Sequence, residues 1–205
     1  MSNRSVAPKK GLFYLLRPDI RGGGPGHGVA LANDAALRGP GGGVVLPPNG
    51  DSGQYPEVPR LVQTNARAAL PHDLIGLGGL WVVSDLLKAV FKDADPQGLA
   101  FAACDFELAD GTGGPLRHLC GVLRTLDAVD EAASVLTIKT GDYVNGKHYS
   151  MAGSAKFAFR NEVVAGARAF RTPYSGREVF CDRVLRDALK ASGATGLWLV
   201  DAADC

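Results

Sequence analysis

The chain has 205 residues, of which 46% are hydrophobic, and its formal net charge at pH 7 is +1. That length and apolar content suit a buried core, and we predict a single domain over residues 1–205. The near-neutral charge argues against a general nucleic-acid binder, because such proteins usually carry a basic excess. No apolar run reaches the roughly 18 residues that a membrane span needs, and residues 1–10 lack a signal-peptide pattern. A cytoplasmic protein that contacts no membrane is therefore expected.

The N-terminal part of the chain predicts one strand followed by a long irregular segment. Residues 12–16 form an apolar run typical of a buried strand, which Pro18 ends. Residues 22–53 contain 11 glycines and four prolines in 32 positions. Glycine-rich backbone has much conformational entropy to lose and few side chains to bury. We therefore predict a flexible arm or surface loop over residues 22–53.

Residues 81–101 predict a strand–helix–strand unit. A short apolar strand ends at Ser84, whose side-chain oxygen can cap the first turn of a helix. The apolar residues of that helix are spaced at i, i+1, i+4 and i+5, which predicts one buried face. They are Leu86, Leu87, Val90 and Phe91. An apolar strand follows Gly98.

The middle of the chain predicts several short strands. The strand after Gly98 continues to Leu108, and a glycine-rich turn occupies residues 110–115. Further strands are predicted at residues 119–126, 134–138 and 156–160. In the last of these, Phe157 and Phe159 alternate with polar residues and are expected to point inward.

The first unit is repeated near the C-terminus, at residues 179–199. A constant offset of 98 residues, without a gap, places Asp182 on Ser84, Leu185 on Leu87 and Gly196 on Gly98. We predict that the two helices pack their apolar faces on a shared sheet. Because helices sit between strands that outnumber them, the predicted class is α+β with a mixed or antiparallel sheet.

Candidate catalytic patterns in the sequence are weak. Residues 141–147 have the spacing of a phosphate-binding loop, but His148 follows where the motif needs serine or threonine. The Asn-Gly pair within them favours a hairpin turn. Ser175, Asp182 and His148 could form a triad on paper, although Asp182 is already explained as a helix cap. We therefore predict that the protein is not an enzyme, while a small enzyme with an unrecognised active site remains an alternative.

The cysteine pattern predicts free thiols in a reducing compartment. Cys104, Cys120, Cys181 and Cys205 lie far apart, and none forms a Cys-x-x-Cys pair. A structural zinc site needs more closely spaced ligands, and a disulfide scaffold needs more cysteines. We expect no metal and no cofactor.

Acidic residues are concentrated in the middle of the chain. Residues 84–131 contain 4 basic and 9 acidic side chains, whereas residues 1–83 and residues 132–205 each have a net charge of +3. One interpretation is a solvated face, and the other is a docking surface for a basic partner. The candidate contact residues are Asp105, Glu107, Asp110, Asp127, Asp130 and Glu131.

These candidates form two groups, which we name the β-strand group (Asp105, Glu107 and Asp110) and the loop group (Asp127, Asp130 and Glu131). If the strands on either side of the turn pair antiparallel, the groups lie at opposite ends of a hairpin. We slightly favour the loop group, because its loop has few other duties, although its aspartates could simply cap the turn. Exposed aromatic residues often anchor such interfaces. The candidate anchors are Trp81, Tyr143 and Tyr174.

Four blocks of the sequence resemble a known family. They are LWVVSD at 80–85, VLRTLDAVD at 122–130, FRTPYS at 170–175, and the segment that begins with VFCD at 179–182. Together they resemble the immunity protein 11 family of bacterial polymorphic-toxin systems. LLRPD at 15–19 is similar to the family's N-terminal strand. Residues 22–53 and 144–154 resemble nothing in that family.

The resemblance implies an antitoxin, that is, a cytoplasmic protein that binds and neutralises a cognate toxin. Toxins of such systems are often nucleases, so the resemblance implies a basic partner protein rather than direct contact with nucleic acid. The motifs are structural, and no catalytic residues carry over from the family. An adaptor of a secretion system is the alternative among non-enzymatic functions.

Overall fold

The fold is mostly β, and the computed structural model describes residues 8–21, 28–39 and 42–205. The strands are β1 (Phe13–Pro18), β2 (Val29–Leu31), β3 (Arg60–Gln63), β4 (Leu74–Leu77), β5 (Leu80–Ser84), β6 (Leu99–Glu107), β7 (Arg117–Val122), β8 (Thr137–Thr140), β9 (Lys147–Ser150), β10 (Ala169–Phe170), β11 (Val179–Asp182) and β12 (Leu197–Asp201). The helices are α1 (Asp85–Ala94), α2 (Asn161–Val164) and α3 (Arg183–Ala191), and a 3₁₀ turn spans Ala202–Asp204. The predicted α+β class with mixed sheets is confirmed.

The described residues form two compact units. The first unit comprises those of Met1–Arg17, Arg124–Asp187 and Trp198–Cys205, and the second comprises those of Pro18–Leu123 and Ala188–Leu197. Each unit has its own hydrophobic cluster. The prediction of one domain over residues 1–205 stays a prediction.

The second unit is built on a six-stranded sheet with the order β2-β3-β6-β7-β5-β4. The pair β3–β6 is parallel and the other pairs are antiparallel, so the sheet is mixed. Its two end strands, β2 and β4, contact each other, and the sheet therefore nearly closes into a barrel. Val82, Phe106 and Leu119 belong to the cluster of buried side chains that fills it.

The first unit is built on a four-stranded sheet with the order β10-β11-β1-β12. Aromatic rings form much of its core. Phe157 is almost wholly buried and its ring lies 5.1 Å from that of Phe180, while the half-buried Phe159 ring lies 5.0 Å from Phe180 and 4.9 Å from Phe13. The inward orientation predicted for Phe157 and Phe159 is thus confirmed, although their segment forms isolated bridges rather than a strand.

The two predicted strand–helix–strand units are confirmed as β5-α1-β6 and β11-α3-β12. Their helix caps are also confirmed: Ser84 Oγ accepts a hydrogen bond from Leu87 N at 3.2 Å, and Asp182 Oδ1 accepts one from Leu185 N at 2.9 Å. The prediction of a shared sheet is wrong, because the strands of β5-α1-β6 lie in the six-stranded sheet and those of β11-α3-β12 lie in the four-stranded sheet. In each sheet, a strand from another part of the chain lies between the two strands of the strand–helix–strand segment. β7 lies between β5 and β6, and β1 lies between β11 and β12.

Only half of each predicted apolar helix face is buried. In α1, Leu87 and Phe91 are fully buried, whereas Leu86 is 48% exposed. In α3 the equivalent pair, Leu185 and Leu189, is fully buried, and Val184 is 53% exposed. Residues at i and i+4 share one stripe along a helix, while the residue beside them points about 100° away. Each helix therefore buries only one narrow row of side chains.

Part of the glycine-rich segment lies on the six-stranded sheet. Residues 29–31 form β2, and Arg38 and Val45 form an isolated antiparallel bridge. Pro48 approaches β7 so closely that a Cβ atom added at Gly121 would lie 2.0 Å from the Pro48 carbonyl oxygen. Residues 22–27 and 40–41 lie outside the described residues. The flexibility predicted for residues 22–53 stays a prediction.

A buried histidine joins α1 to β7. His118 Nε2 lies 3.1 Å from Asp85 Oδ1 and 3.4 Å from Lys88 Nζ. Burial lowers the pKa of His118 below its ordinary value, and the hydrogen bond to Asp85 offsets part of that effect. The folded protein therefore resists protonation of this ring more than the unfolded chain does.

We expect the free energy of unfolding to fall as the pH drops through the ordinary histidine value near 6.5, because the unfolded chain then binds a proton that the folded state resists. Urea unfolding at several pH values between 7.5 and 5.5 measures this slope. A His118→Gln variant should show a smaller decrease over that range. The same slope in the variant and the wild type would show that His118 does not cause it.

Candidate functional site

The β-strand group lies on the outer face of β6 and in the turn after it. Asp105 and Glu107 are exposed, while the alternating residues Cys104 and Phe106 point into the six-stranded sheet. Asp110 is also exposed, and its carboxylate accepts hydrogen bonds from the backbone and hydroxyl groups of Thr112, at 2.9 and 2.6 Å. Those two bonds lower the pKa of Asp110 and keep its carboxylate ionised.

A shallow cleft lies beside this group. Its volume is about 220 Å³, and Asp105 and Glu107 line it together with residues of β3 and of the turn at 111–113. Arg60 is the parallel partner of Asp105 in the sheet and also lines the cleft. Among the described residues, neither Asp105 nor Glu107 has an ion-pair partner within 4.0 Å. Both carboxylates are therefore available to a partner.

The loop group has local partners instead. Glu131 accepts hydrogen bonds from the Lys147 ammonium and, at 2.5 Å, from the Tyr149 hydroxyl, and these lower the pKa of Glu131. Asp130 accepts backbone hydrogen bonds from Ala132 and Ala133, each at 3.1 Å. Asp127 lies 3.7 Å from the guanidinium group of Arg160. The expectation that this loop has few other duties is wrong.

The two groups belong to different compact units. Asp105, Glu107 and Asp110 lie in the second unit, whereas Asp127, Asp130 and Glu131 lie in the first. The strands on either side of the turn at 110–115 pair antiparallel, as β6 and β7. Each unit thus contains three of the six carboxylates, and neither unit contains all six as one cluster.

The candidate aromatic anchors differ in exposure. Trp81 and Tyr174 are half-buried, whereas Tyr143 is 41% exposed at the end of the β8–β9 hairpin. Val144 beside it is fully exposed, and sequence reasoning missed it. The signal that could have identified it is an apolar residue inside a predicted turn.

The three residues of the hypothetical catalytic triad, Ser175, Asp182 and His148, have structural roles. Ser175 is buried and its hydroxyl lies 2.8 Å from the Thr172 hydroxyl. Asp182 caps α3 and accepts a hydrogen bond from Arg168 at 2.6 Å. His148 stacks against the Tyr143 ring at 5.4 Å. These contacts explain all three residues without catalysis.

The four cysteines are free thiols, and three of them are buried. Burial raises the pKa of Cys104 to about 12 and that of the half-buried Cys205 to about 11, so neither is a reactive thiolate at neutral pH. Within residues 8–21, 28–39 and 42–205, no group of three His, Cys, Asp or Glu side chains could hold a metal ion. In the same ranges no helix is long and apolar enough to cross a membrane.

These features describe a mostly β protein of the α+β class in which Asp105, Glu107 and Asp110 form an exposed group of carboxylates on and after β6. Residues 12–204 match the immunity protein family Imm11, so the chain belongs to that family. The resemblance found in the sequence is thereby confirmed. A comparison of the chain with curated proteins finds no match.

Family membership gives the general function of the chain. It is an immunity protein of a toxin system, and membership implies that it neutralises a cognate toxin. Members of the family are typically non-enzymatic, so the prediction that the protein is not an enzyme is confirmed on that ground. A cognate toxin is the implied partner.

Proposed function

We propose that the protein neutralises, in the cytoplasm, a toxin that acts on nucleic acid, and that it does so by stoichiometric binding through the β-strand group of carboxylates. Membership of the immunity family carries the neutralising function. The carboxylates of Asp105 and Glu107 are exposed and have no ion-pair partner among the described residues, which supports a basic partner protein. Asp110 extends the same negative surface into the following turn.

The choice of a nuclease partner follows from electrostatics. A protein that cleaves nucleic acid must present positive charge where the phosphates sit. An inhibitor that offers negative charge to that surface is steered toward it and associates faster. Fast association matters because free toxin damages the cell until it is bound.

The β-strand group suits this role better than the loop group. A carboxylate that already pairs with a lysine or arginine must exchange that partner for one on the toxin, and the net gain is small. Glu131 and Asp127 are in that position. Asp105 and Glu107 have no such partner to lose among the described residues.

The proposal predicts a salt-dependent loss of association rate when the charge of this group is reversed. We expect the Asp105→Lys, Glu107→Lys double variant to bind the cognate toxin at least tenfold more slowly at low salt. At high salt the difference should shrink, because the Debye length falls from about 10 Å at 0.1 M to about 3 Å at 1 M. Stopped-flow or surface-based kinetics at both salt concentrations measures it.

Asp93→Lys is the control for a change in net charge elsewhere: it adds +2 where the double variant adds +4, and Asp93 is an exposed carboxylate on α1 outside the cleft. Its association rate should stay near that of the wild type. Equal rates for the double variant and the wild type at low salt would rule out the β-strand group as the contact surface. Failure of the wild type to protect cells that express the toxin would rule out neutralisation itself.

A further inference from the structure

The β8–β9 hairpin ends in an apolar tip. The antiparallel strands pair Thr137 with Ser150 and Thr140 with Lys147, and residues 141–146 connect them. Val144 at the turn is fully exposed and Tyr143 is 41% exposed. Turns normally carry polar residues at such positions. A β-branched apolar side chain that contacts nothing there contributes nothing evident to the stability of the fold.

Two further exposed apolar side chains lie in the residues before the tip. Ile138 on β8 is 38% exposed, and Val135 just before β8 is 46% exposed. Single exposed apolar residues are common on protein surfaces and need no explanation. Val135 and Ile138 therefore need no further account, whereas Tyr143 and Val144 are adjacent on one turn, and that pair indicates an interaction surface.

The tip is held in a fixed shape. The Asn145 side chain donates a hydrogen bond to the Pro173 carbonyl oxygen at 2.7 Å, which ties the turn to another segment of the same unit. Tyr143 N donates to the Gly141 carbonyl oxygen and Gly146 N donates to that of Tyr143, both at 2.8 Å. The Tyr143 ring also stacks on His148 with an interplanar angle of 23°.

This order lowers the entropic cost of binding. A side chain or loop that is mobile when free loses conformational freedom in a complex, and that loss weakens affinity. Tyrosine in particular offers a large contact area with few rotatable bonds. A rigid turn that presents Tyr143 and Val144 is therefore suited to anchor a partner.

The charge at the tip indicates what that partner presents. Asp142 is exposed beside Tyr143, and within the described part of the chain it has no ion-pair partner. A convex apolar knob needs a concave apolar recess, and an unpaired carboxylate beside it favours a cationic rim. A cleft that binds the bases and phosphates of nucleic acid combines both properties, because bases stack on apolar and aromatic surfaces and phosphates contact lysine or arginine.

We propose that Tyr143 and Val144 insert into an apolar recess with a positively charged rim on the cognate toxin, with Asp142 facing that rim. The inference rests on the proposed function, because it assigns a second contact to the same partner. The tip supplies apolar anchor contacts that decide how slowly the complex dissociates. The β-strand group supplies charge that decides how fast it forms.

The test compares Val144→Asp and Tyr143→Ala with a matched control, Val44→Asp. Val44 is likewise an exposed valine in a loop, at 59%, and it lies in the other compact unit. The probe is the purified cognate toxin, with its active site inactivated. Calorimetry gives the dissociation constant, thermal unfolding verifies that each variant is folded, and sedimentation gives the mass of each variant.

We expect Val144→Asp and Tyr143→Ala to raise the dissociation constant at least tenfold, mainly through faster dissociation, and Val44→Asp to leave it within twofold. Wild-type affinity in both folded tip variants would overturn the inference and leave the proposed function standing. A wild-type dimer that Val144→Asp converts to a monomer, with toxin binding unchanged, would show that the tip binds a second copy, and would likewise overturn it. Absence of binding by the wild type would remove the proposed function and this inference together.

Discussion

Replacing Leu87 or Leu185 with alanine is expected to lower the free energy of unfolding by about 2–5 kcal/mol, because both side chains are fully buried and each loss leaves a cavity. Each leucine begins the buried row of its helix, and Phe91 or Leu189 completes that row one turn later. Chemical denaturation of the single variants, followed by circular dichroism, measures the loss. Because the two leucines stand at equivalent positions of the repeated unit, we expect losses of similar size.

Their chain neighbours provide matched controls. Leu86 and Val184 precede the buried leucines in α1 and α3, and both are about half exposed. Substitution of either by alanine should change the free energy of unfolding by less than about 1 kcal/mol, since alanine is also the better helix former. Equal losses for buried and exposed positions would contradict the packing of these helices along one narrow row.

The second large effect is expected for Gly196→Ala. Gly196 has φ +77°, a left-handed conformation that side chains with a Cβ rarely adopt. An added Cβ would also lie 2.3 Å from the Leu74 carbonyl oxygen and 2.6 Å from His72 Cβ. The backbone strain and the collision together should cost about 2–5 kcal/mol. Thermal or chemical unfolding of the purified variant checks this value.

Gly193→Ala separates the two causes. Gly193 has a similar φ of +68°, but nothing lies within 4 Å of the position of an added Cβ. Alanine there should cost only the strain of the left-handed conformation, about 1–2 kcal/mol. If both variants lost the same free energy, the close approach of β4 to Gly196 would not matter for stability.

The sequence was sufficient to predict local structure where a cap and a periodic apolar pattern agreed. Ser84 and Asp182 each stand between an apolar strand and an apolar helix, and both cap their helix as predicted. Local signals of this kind depend on neighbours within about four residues, which the sequence displays directly. The same local signals, a helix cap and a glycine after the helix, also revealed the strand–helix–strand repeat in the sequence.

The arrangement of strands could not be predicted in the same way. β7 separates β5 from β6, and β1 separates β11 from β12, so each repeated unit receives a strand from a distant part of the chain. Nothing in the periodicity of an apolar strand states which partner it takes, because pairing depends on the packing of the whole core. For that reason the sequence predicts one shared sheet for the two strand–helix–strand segments, whereas they lie in two different sheets.

The ion-pair partners of side chains in the candidate site also could not be predicted from the sequence. The carboxylates of Glu131 and Asp127 look as available in the sequence as those of Asp105 and Glu107. Only the fold brings Lys147 to Glu131 and Arg160 to Asp127, across 16 and 33 residues of chain. The exposure of the candidate aromatic anchors likewise depends on the fold. Tyr143 is more exposed than Trp81 and Tyr174.

The central position of β1 in the four-stranded sheet determines when the protein can be completed during translation. β1 lies between β11 and β12, so its residues leave the ribosome long before either partner strand exists. At roughly 5–20 residues per second, the interval between Pro18 and Asp201 is about 10–40 s. Until β11 and β12 have been synthesised, both edges of β1 lack their partners in this sheet. The four-stranded sheet is therefore completed only at the end of synthesis, after most of the chain has left the ribosome.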